Sequence, residues 1–157
     1  MPLLMKDMLR RHRAPGRIIW IGLRSERLAD LAEVESCQLS VSGLEGDHAR
    51  PGKRAVTLIQ AEHLPVIASL AGLDQVTPQM LRRNIVVQGI NLSALRNITI
   101  CLGEALIAIT GPCTPCSRME TTLGFGGYNA LRGHGGWCGS VLVPGRITLG
   151  DKVFLQD

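Results

Sequence analysis

The segment from Gly111 to Arg118 carries the residues of this chain that are best suited to thiol chemistry. It reads Gly-Pro-Cys-Thr-Pro-Cys-Ser-Arg, which sets Cys113 and Cys116 three positions apart, next to an arginine. The thiolate is the reactive form of cysteine, and a nearby guanidinium or helix amino terminus favours it. Arg118 would supply the first effect. A helix that begins at Ser117, as the preceding prolines allow, would supply the second.

The elements that must position this segment belong to one globular domain. A chain of 157 residues with 45% apolar side chains is large enough to bury a single core. Aromatic residues make up only 3% of the chain, so surfaces for base stacking are scarce and nucleic-acid binding is disfavoured. Five cysteines are an odd number, which argues against a complete set of disulfides.

The amino terminus, residues 1–16, is predicted to be a basic arm or short helix that precedes a domain at residues 17–157. This arm lacks the uninterrupted apolar core of a signal peptide, and no apolar run reaches membrane-spanning length. We therefore expect a cytoplasmic protein with no membrane partner, in which the thiols are reduced.

Basic residues outnumber acidic ones and are mostly arginine. The net charge is +4, and of seventeen basic residues only Lys6, Lys53 and Lys152 are lysine. Because guanidinium grips phosphate and carboxylate through paired hydrogen bonds, this composition favours a small anionic ligand. Solubility together with a few structural ion pairs explains the composition equally well.

Short strands dominate the predicted secondary structure, and a few helices interrupt them. Strands are predicted at residues 17–23, 35–41, 54–59, 85–87, 98–102, 105–110, 140–143 and 147–149. Helices are predicted at residues 60–72, 77–83 and 128–132. Thr77 would cap the second helix, Gly72 would end the first, and Gly103-Glu104 would form a tight hairpin turn. This pattern predicts a mainly β, single-domain barrel with inserted short helices.

Four segments, in this order and at these separations, resemble the MOSC domain, the carboxy-terminal domain of molybdenum cofactor sulfurase. They are residues 45–54 (EGDHARPGKR), residues 81–87 (LRRNIVV), the segment around Cys116, and residues 145–153 (GRITLGDKV). The similarity extends over about residues 17–155, nearly the whole chain. It implies a closed β-barrel like that of the pyruvate kinase β-barrel domain, in a small stand-alone member of the family.

The resemblance also implies one functional cysteine after a strand, which would be Cys116, with Arg118 beside it. In the family this residue is proposed to carry sulfur as a persulfide, or it ligates molybdenum in members that reduce N-hydroxylated substrates. The chain would accordingly be a sulfur transferase or a molybdenum-dependent reductase. An ordinary buried or surface thiol is the alternative.

A second group of residues would bind the molybdenum cofactor through the phosphate of molybdopterin. Its members are Asp47, His48, Arg50, Lys53, Arg54, Arg82, Arg83 and Asn84. For Asp47 and His48 a turn held by side-chain hydrogen bonds to the backbone is an equal alternative. For Asn84, a structural role in bracing the pocket is the preferred interpretation, and a contact with the pterin is the second.

The chain is too short to include the pyridoxal-phosphate desulfurase to which sulfurase joins this domain. It would bind no pyridoxal phosphate itself. We therefore expect a partner: a pyridoxal-phosphate-dependent cysteine desulfurase for sulfur transfer, or an electron-donor protein for reduction.

Two further hypotheses use the other cysteines. Cys113, Cys116, His134 and Cys138 have a spacing compatible with tetrahedral zinc, which would make the chain a non-catalytic, zinc-stabilised or anion-binding module. Alternatively, Cys113 would act as a resolving thiol and form a disulfide with Cys116.

Overall fold

Seven strands close into a barrel because the first and last strands of the chain pair with each other. The computed structural model describes residues 2–157, so Met1 of the predicted arm lies outside the described residues. The strands are β1 (Gly16–Arg24), β2 (Leu31–Glu33), β3 (Ser36–Ser40), β4 (Gly43–Leu44), β5 (Val56–Gln60), β6 (Ile85–Gln88), β7 (Thr99–Leu102), β8 (Ala105–Pro112), β9 (Trp137–Val143), β10 (Gly145–Thr148) and β11 (Lys152–Leu155). The mainly β, single-domain barrel is confirmed.

The barrel follows the order β11-β7-β8-β9-β5-β6-β1, and β1 then meets β11 where Gly16 pairs with Val153. All neighbouring barrel strands are antiparallel except β5 and β6, which are parallel. β2 continues the sheet beside the end of β1, and β10, β3 and β4 form a separate three-stranded sheet. The parallel pair needs a crossover connection, which the chain between β5 and β6 provides.

Within residues 2–157, five short α-helices and one 3₁₀ helix accompany the strands. They are α1 (Met5–Met8), α2 (His63–Ala71), α3 (Pro78–Leu81), α4 (Ser117–Leu123), α5 (Gly127–Leu131) and the 3₁₀ helix (Leu92–Leu95). No helix among residues 2–157 has the length and apolar character needed to cross a membrane.

Local sequence signals place several of these elements as predicted. The Thr77 hydroxyl accepts a hydrogen bond from the Met80 N–H, and Pro78 follows at the first helical position. Gly72 ends α2 in the left-handed conformation, with φ of 69°. The β7–β8 hairpin turns at Gly103, whose φ is 58°. These three expectations are confirmed.

Two apolar clusters stabilise the fold. One fills the barrel, where inward side chains such as Ile18, Ile85 and Ile107 are fully buried. The other lies between the barrel's outer face and the helices, where Trp20 and Ile59 contact apolar residues of α2, α3 and α4. This second cluster fixes the helices against the strands, so that α3 and α4 bring their residues to the same part of the surface.

Candidate functional site

A basic pocket lies where the loop between β4 and β5 meets the end of β1. Its volume is about 560 Å³. No acidic side chain lines it, and six of its eight lining residues are basic or histidine. These six are Arg24, Arg27, His48, Arg50, Lys53 and Arg54. Four of them, His48, Arg50, Lys53 and Arg54, are predicted from the sequence.

Asp47 links the loop that lines this pocket to the end of β1. Its Oδ1 accepts a hydrogen bond from the Arg24 backbone N–H at 2.7 Å and lies 3.7 Å from the Arg24 Nε. The His48 N–H donates to the Arg24 carbonyl, which makes a second link between the loop and β1. Because the Asp47 side chain has no exposed surface, the structure favours the turn held by side-chain hydrogen bonds, and a cofactor contact by Asp47 stays a prediction. Asp47 is a positioning residue.

Like charges crowd around Arg82, beside the pocket. Burial lowers the pKa of this guanidinium, and the neighbouring charges of Arg118 and Arg24 lower it further, against a smaller opposite effect of Asp30 and Asp47. Arg82 is the left-handed residue that ends α3 and donates a hydrogen bond to a loop carbonyl. Arg118 belongs to α4, the helix that follows Cys116, so its charge acts on Arg82 from the side of the Cys116 segment.

Structural ion pairs do not account for the arginines. Within residues 2–157 the structure contains one ion pair, between Arg24 and Asp47. Unpaired guanidinium groups held close together repel one another, and a bound anion relieves that repulsion. The arrangement therefore favours the anionic ligand over the alternative of solubility plus structural pairing.

Arg83 and Asn84 support the strands. The Asn84 side chain is 1% exposed; its Oδ1 accepts from both the backbone and the hydroxyl of Thr57, and its Nδ2 donates to the Gly22 carbonyl. These contacts favour the bracing role for Asn84, and its pterin contact stays a prediction. Two N–H groups of the Arg83 guanidinium donate hydrogen bonds to backbone carbonyls, those of Gly135 and Leu81.

Cys116 is exposed and immediately precedes the first residue of α4. The helix begins at Ser117, as the sequence predicts, and the Cys116 side chain makes no capping hydrogen bond. The exposed Cys116 side chain therefore lies at a helix amino terminus, two residues before Arg118. This arrangement permits nucleophilic chemistry with a second protein or a small molecule.

The remaining members of the predicted zinc set have other neighbours. The Sγ of Cys113 lies 3.1 Å from the Sγ of Cys138, and both side chains are buried. The His134 ring makes an edge contact with His63, with centroids 5.2 Å apart. Within residues 2–157 no group of three or more Cys, His, Asp or Glu side chains is arranged to hold a metal. The structure does not assemble the zinc set, and it pairs Cys113 with Cys138 rather than with Cys116.

Sequence reasoning missed Arg24 and Arg27. Both follow the long apolar run of β1, and a charged residue at a strand end is a usable signal for a site at the rim of a barrel. Their distance along the chain from Arg50 hid the connection, which depends on the hydrogen bonds between Arg24 and the loop residues Asp47 and His48.

The closed barrel, the basic pocket and the exposed thiol define a small single-domain β-barrel protein. The MOSC domain family model matches residues 29–154. This chain belongs to the MOSC domain family, and the sequence-based recognition is confirmed. No curated protein matches its sequence.

Solved structures share the fold. The chain is similar to the YuaD protein from Bacillus subtilis, with a TM-score of 0.77 and 16% identity over 89% of this chain and 94% of that one. It is similar to YiiM from Geobacillus stearothermophilus (TM-score 0.75, 18% identity, 91% and 76% covered). For YiiM from Escherichia coli the TM-score is 0.71, with 23% identity and 90% and 70% covered.

Proposed function

We propose that this MOSC protein binds the molybdenum cofactor in the basic pocket and uses Cys116 as its reactive thiol. The observation that carries the proposal is the convergence of Arg24, Arg27, His48, Arg50, Lys53 and Arg54 on a pocket with no acidic lining. The link to the cofactor comes from the family, which is associated with molybdenum-cofactor binding.

The residues present fit a phosphate-bearing ligand. Arginine forks donate paired hydrogen bonds to phosphate oxygens, and Lys53 adds a compact charge. The volume of about 560 Å³ lies within the range of small-molecule sites. Arg24, Arg50 and Arg54 would hold the phosphate, while Arg82 and Arg118 extend the positive field toward Cys116.

For the sulfur-carrier role, the donor would be the persulfide of a pyridoxal-phosphate-dependent cysteine desulfurase. The Cys116 thiolate attacks the outer sulfur of the donor, a new sulfur–sulfur bond forms at Cys116, and the donor's own sulfur–sulfur bond breaks. The donor cysteine leaves as a thiolate, so charge and electrons balance. The exposure of Cys116 supports this role, because two proteins must bring their sulfurs together.

The same residues fit the reductase role. The bound cofactor would supply molybdenum for the two-electron, two-proton reduction of an N-hydroxylated substrate to the amine and water, with the electrons coming from a separate electron-donor protein. The Cys116 thiolate would be the protein's ligand to the metal, since soft thiolates suit such a site. The basic residues would orient the cofactor's phosphate.

The test is expression of the full chain in cells with and without molybdenum-cofactor synthesis. Metal analysis gives bound molybdenum, and mass spectrometry after alkylation gives the persulfide at Cys116. The sulfur-carrier role predicts a reductant-sensitive addition of one sulfur at Cys116. The reductase role predicts molybdenum only in cells that make the cofactor.

Cys116→Ser should abolish whichever signal appears, because serine forms neither a persulfide nor a thiolate ligand. Cys101→Ser is the matched control: Cys101 is a half-buried thiol on β7 and should leave both signals intact. Absence of molybdenum and of persulfide in both kinds of cells would refute the proposal.

A further inference from the structure

Cys113 and Cys138 form a second pair of thiols that the proposed function does not use. Their Sγ atoms lie 3.1 Å apart, and each residue is only 4% exposed. The contact is a hydrogen bond in which one thiol donates to the other sulfur. Two sulfurs at this separation need to move only about 1 Å to reach bonding distance.

The β8–β9 ladder fixes this contact. Gly111 pairs with Cys138 and Pro112 with Trp137, so Cys113 follows directly after the paired residues. The Cys113 N–H continues the ladder by donating to the Gly136 carbonyl at 2.9 Å. Both backbones are therefore held by strand hydrogen bonds, and the two side chains meet by register.

Two guanidinium groups act on the pair. The hydrogen bond from Cys113 lowers the pKa of Cys138 most, and the charges of Arg54 and Arg83 lower it further, against the opposing effect of burial. The hydrogen bond to Cys138 and burial raise the pKa of Cys113 far above its ordinary value. Of the two sulfurs, Cys138 therefore favours the thiolate form more than Cys113 does.

We propose that Cys113 and Cys138 are an oxidation site, a dithiol that hydrogen peroxide converts reversibly into a disulfide. The Cys138 sulfur gives up its proton and attacks one peroxide oxygen, and the O–O bond breaks. The departing hydroxide takes up that proton as water, and Cys138 is left as a sulfenic acid. The Cys113 sulfur then attacks that sulfur, and water leaves as the disulfide forms. Two thiols and one peroxide give one disulfide and two waters. Because both sulfurs are buried, a small oxidant such as peroxide should reach them more readily than a bulky disulfide reagent.

This oxidation site adjoins the basic pocket. The Thr110 hydroxyl donates to the Lys53 carbonyl at 2.6 Å and lies 3.1 Å from the Cys138 carbonyl, so it connects the pocket loop to β9. Arg54 lines the pocket and also faces Cys138. Arg54 favours the thiolate form of Cys138, and a disulfide has no such form, so the oxidised protein should bind an anion more tightly.

The experiment treats the reduced full-length protein with hydrogen peroxide and maps its peptides without reduction. We expect a crosslinked peptide that joins Cys113 to Cys138 and disappears with dithiothreitol. Calorimetry with inorganic pyrophosphate should show about threefold tighter binding after oxidation. Neither measurement depends on molybdenum or on a persulfide, so failure here is distinct from failure of the proposed function.

Cys116→Ser should still form the crosslink, as should the control Cys37→Ser, which replaces a buried thiol on β3. Cys113→Ala and Cys138→Ala should each lose it. The mapping of the wild-type protein decides the matter even if a variant fails to fold. A crosslink that includes Cys116, stable overoxidation of Cys138 without a crosslink, or unchanged pyrophosphate binding in the crosslinked protein would overturn the proposal.

Discussion

Asp47 and Asn84 are buried polar residues that hold the backbone around the basic pocket in place. Asp47 ties the pocket loop to Arg24, and Asn84 joins β1, β5 and β6 through Gly22 and Thr57. Such groups cost free energy when they lose their partners in a buried site, because water does not replace the lost hydrogen bonds. Their contribution is therefore stability and geometry.

Asn84→Leu should lower the free energy of unfolding by about 3 kcal/mol, since it leaves the Thr57 N–H and the Gly22 carbonyl without their side-chain partner. Urea denaturation followed by circular dichroism measures the change. Asn129→Ala, at an exposed position of α5, is the control and should change stability by less than about 1 kcal/mol. Equal effects of the two substitutions would contradict the role given to Asn84.

At the scale of elements, one carboxylate couples the helix that follows Cys116 to the next helix. Glu120 of α4 accepts hydrogen bonds from the N–H groups of Gly126, at 3.0 Å, and Tyr128, at 2.9 Å. These two N–H groups lie at the start of α5, where the helix itself offers no acceptor. The Glu120 side chain therefore adds to the backbone hydrogen bonds of the α4–α5 turn and also supports the position of α4.

Glu120→Gln should lower the thermal midpoint at pH 7, and the difference from the wild type should disappear in acid. Hydrogen bonds from the backbone of Tyr128 and Gly126 hold the pKa of Glu120 below its ordinary value of 4.5. A carboxylate with a depressed pKa stabilises the folded state above its unfolded pKa, and this stability is lost as the pH falls through the folded value.

Thermal melts of both proteins at a series of pH values from neutral to acid measure this dependence. Glu33→Gln, an exposed substitution on β2, is the control and should leave the wild-type profile unchanged. A Glu120→Gln deficit that persists unchanged in acid would show that the carboxylate's charge is not the cause.

On the scale of the whole molecule, basic side chains outnumber acidic ones, and few of them form ion pairs within residues 2–157. The chain carries a net charge of +4, and its described residues contain one ion pair. Much of the surplus gathers at one pocket. A ligand that binds only the folded state raises its stability, so an anion that fits the pocket should protect the entire fold.

Inorganic pyrophosphate at millimolar concentration should therefore raise the thermal midpoint by several degrees, more than sodium chloride at matched ionic strength. Arg50→Gln should reduce this shift, because it removes one lining charge. Arg96→Gln, which replaces an exposed arginine outside the pocket lining, should preserve it. The same shift with both salts would mean that the pocket does not select phosphate.

The sequence by itself determined the class of fold, the family and several element ends. Thr77, Gly72 and the Gly103 turn act within a few residues of chain, so their effect on backbone torsions is visible locally. Alternating apolar residues predict the strands, because this pattern too is visible within a few residues of chain. The sequence also predicts the start of the helix after Cys116 and four lining residues of the pocket, which are His48, Arg50, Lys53 and Arg54.

Only the tertiary structure decided which distant side chains meet. Cys113 contacts Cys138 rather than Cys116 because the β8–β9 register places them together, 25 residues apart along the chain. Arg24 reaches the pocket because Asp47 binds the end of β1, and Asn84 faces inward because Thr57 and Gly22 surround it. Register and barrel closure are sums over many weak contacts, and no single stretch of sequence contains them.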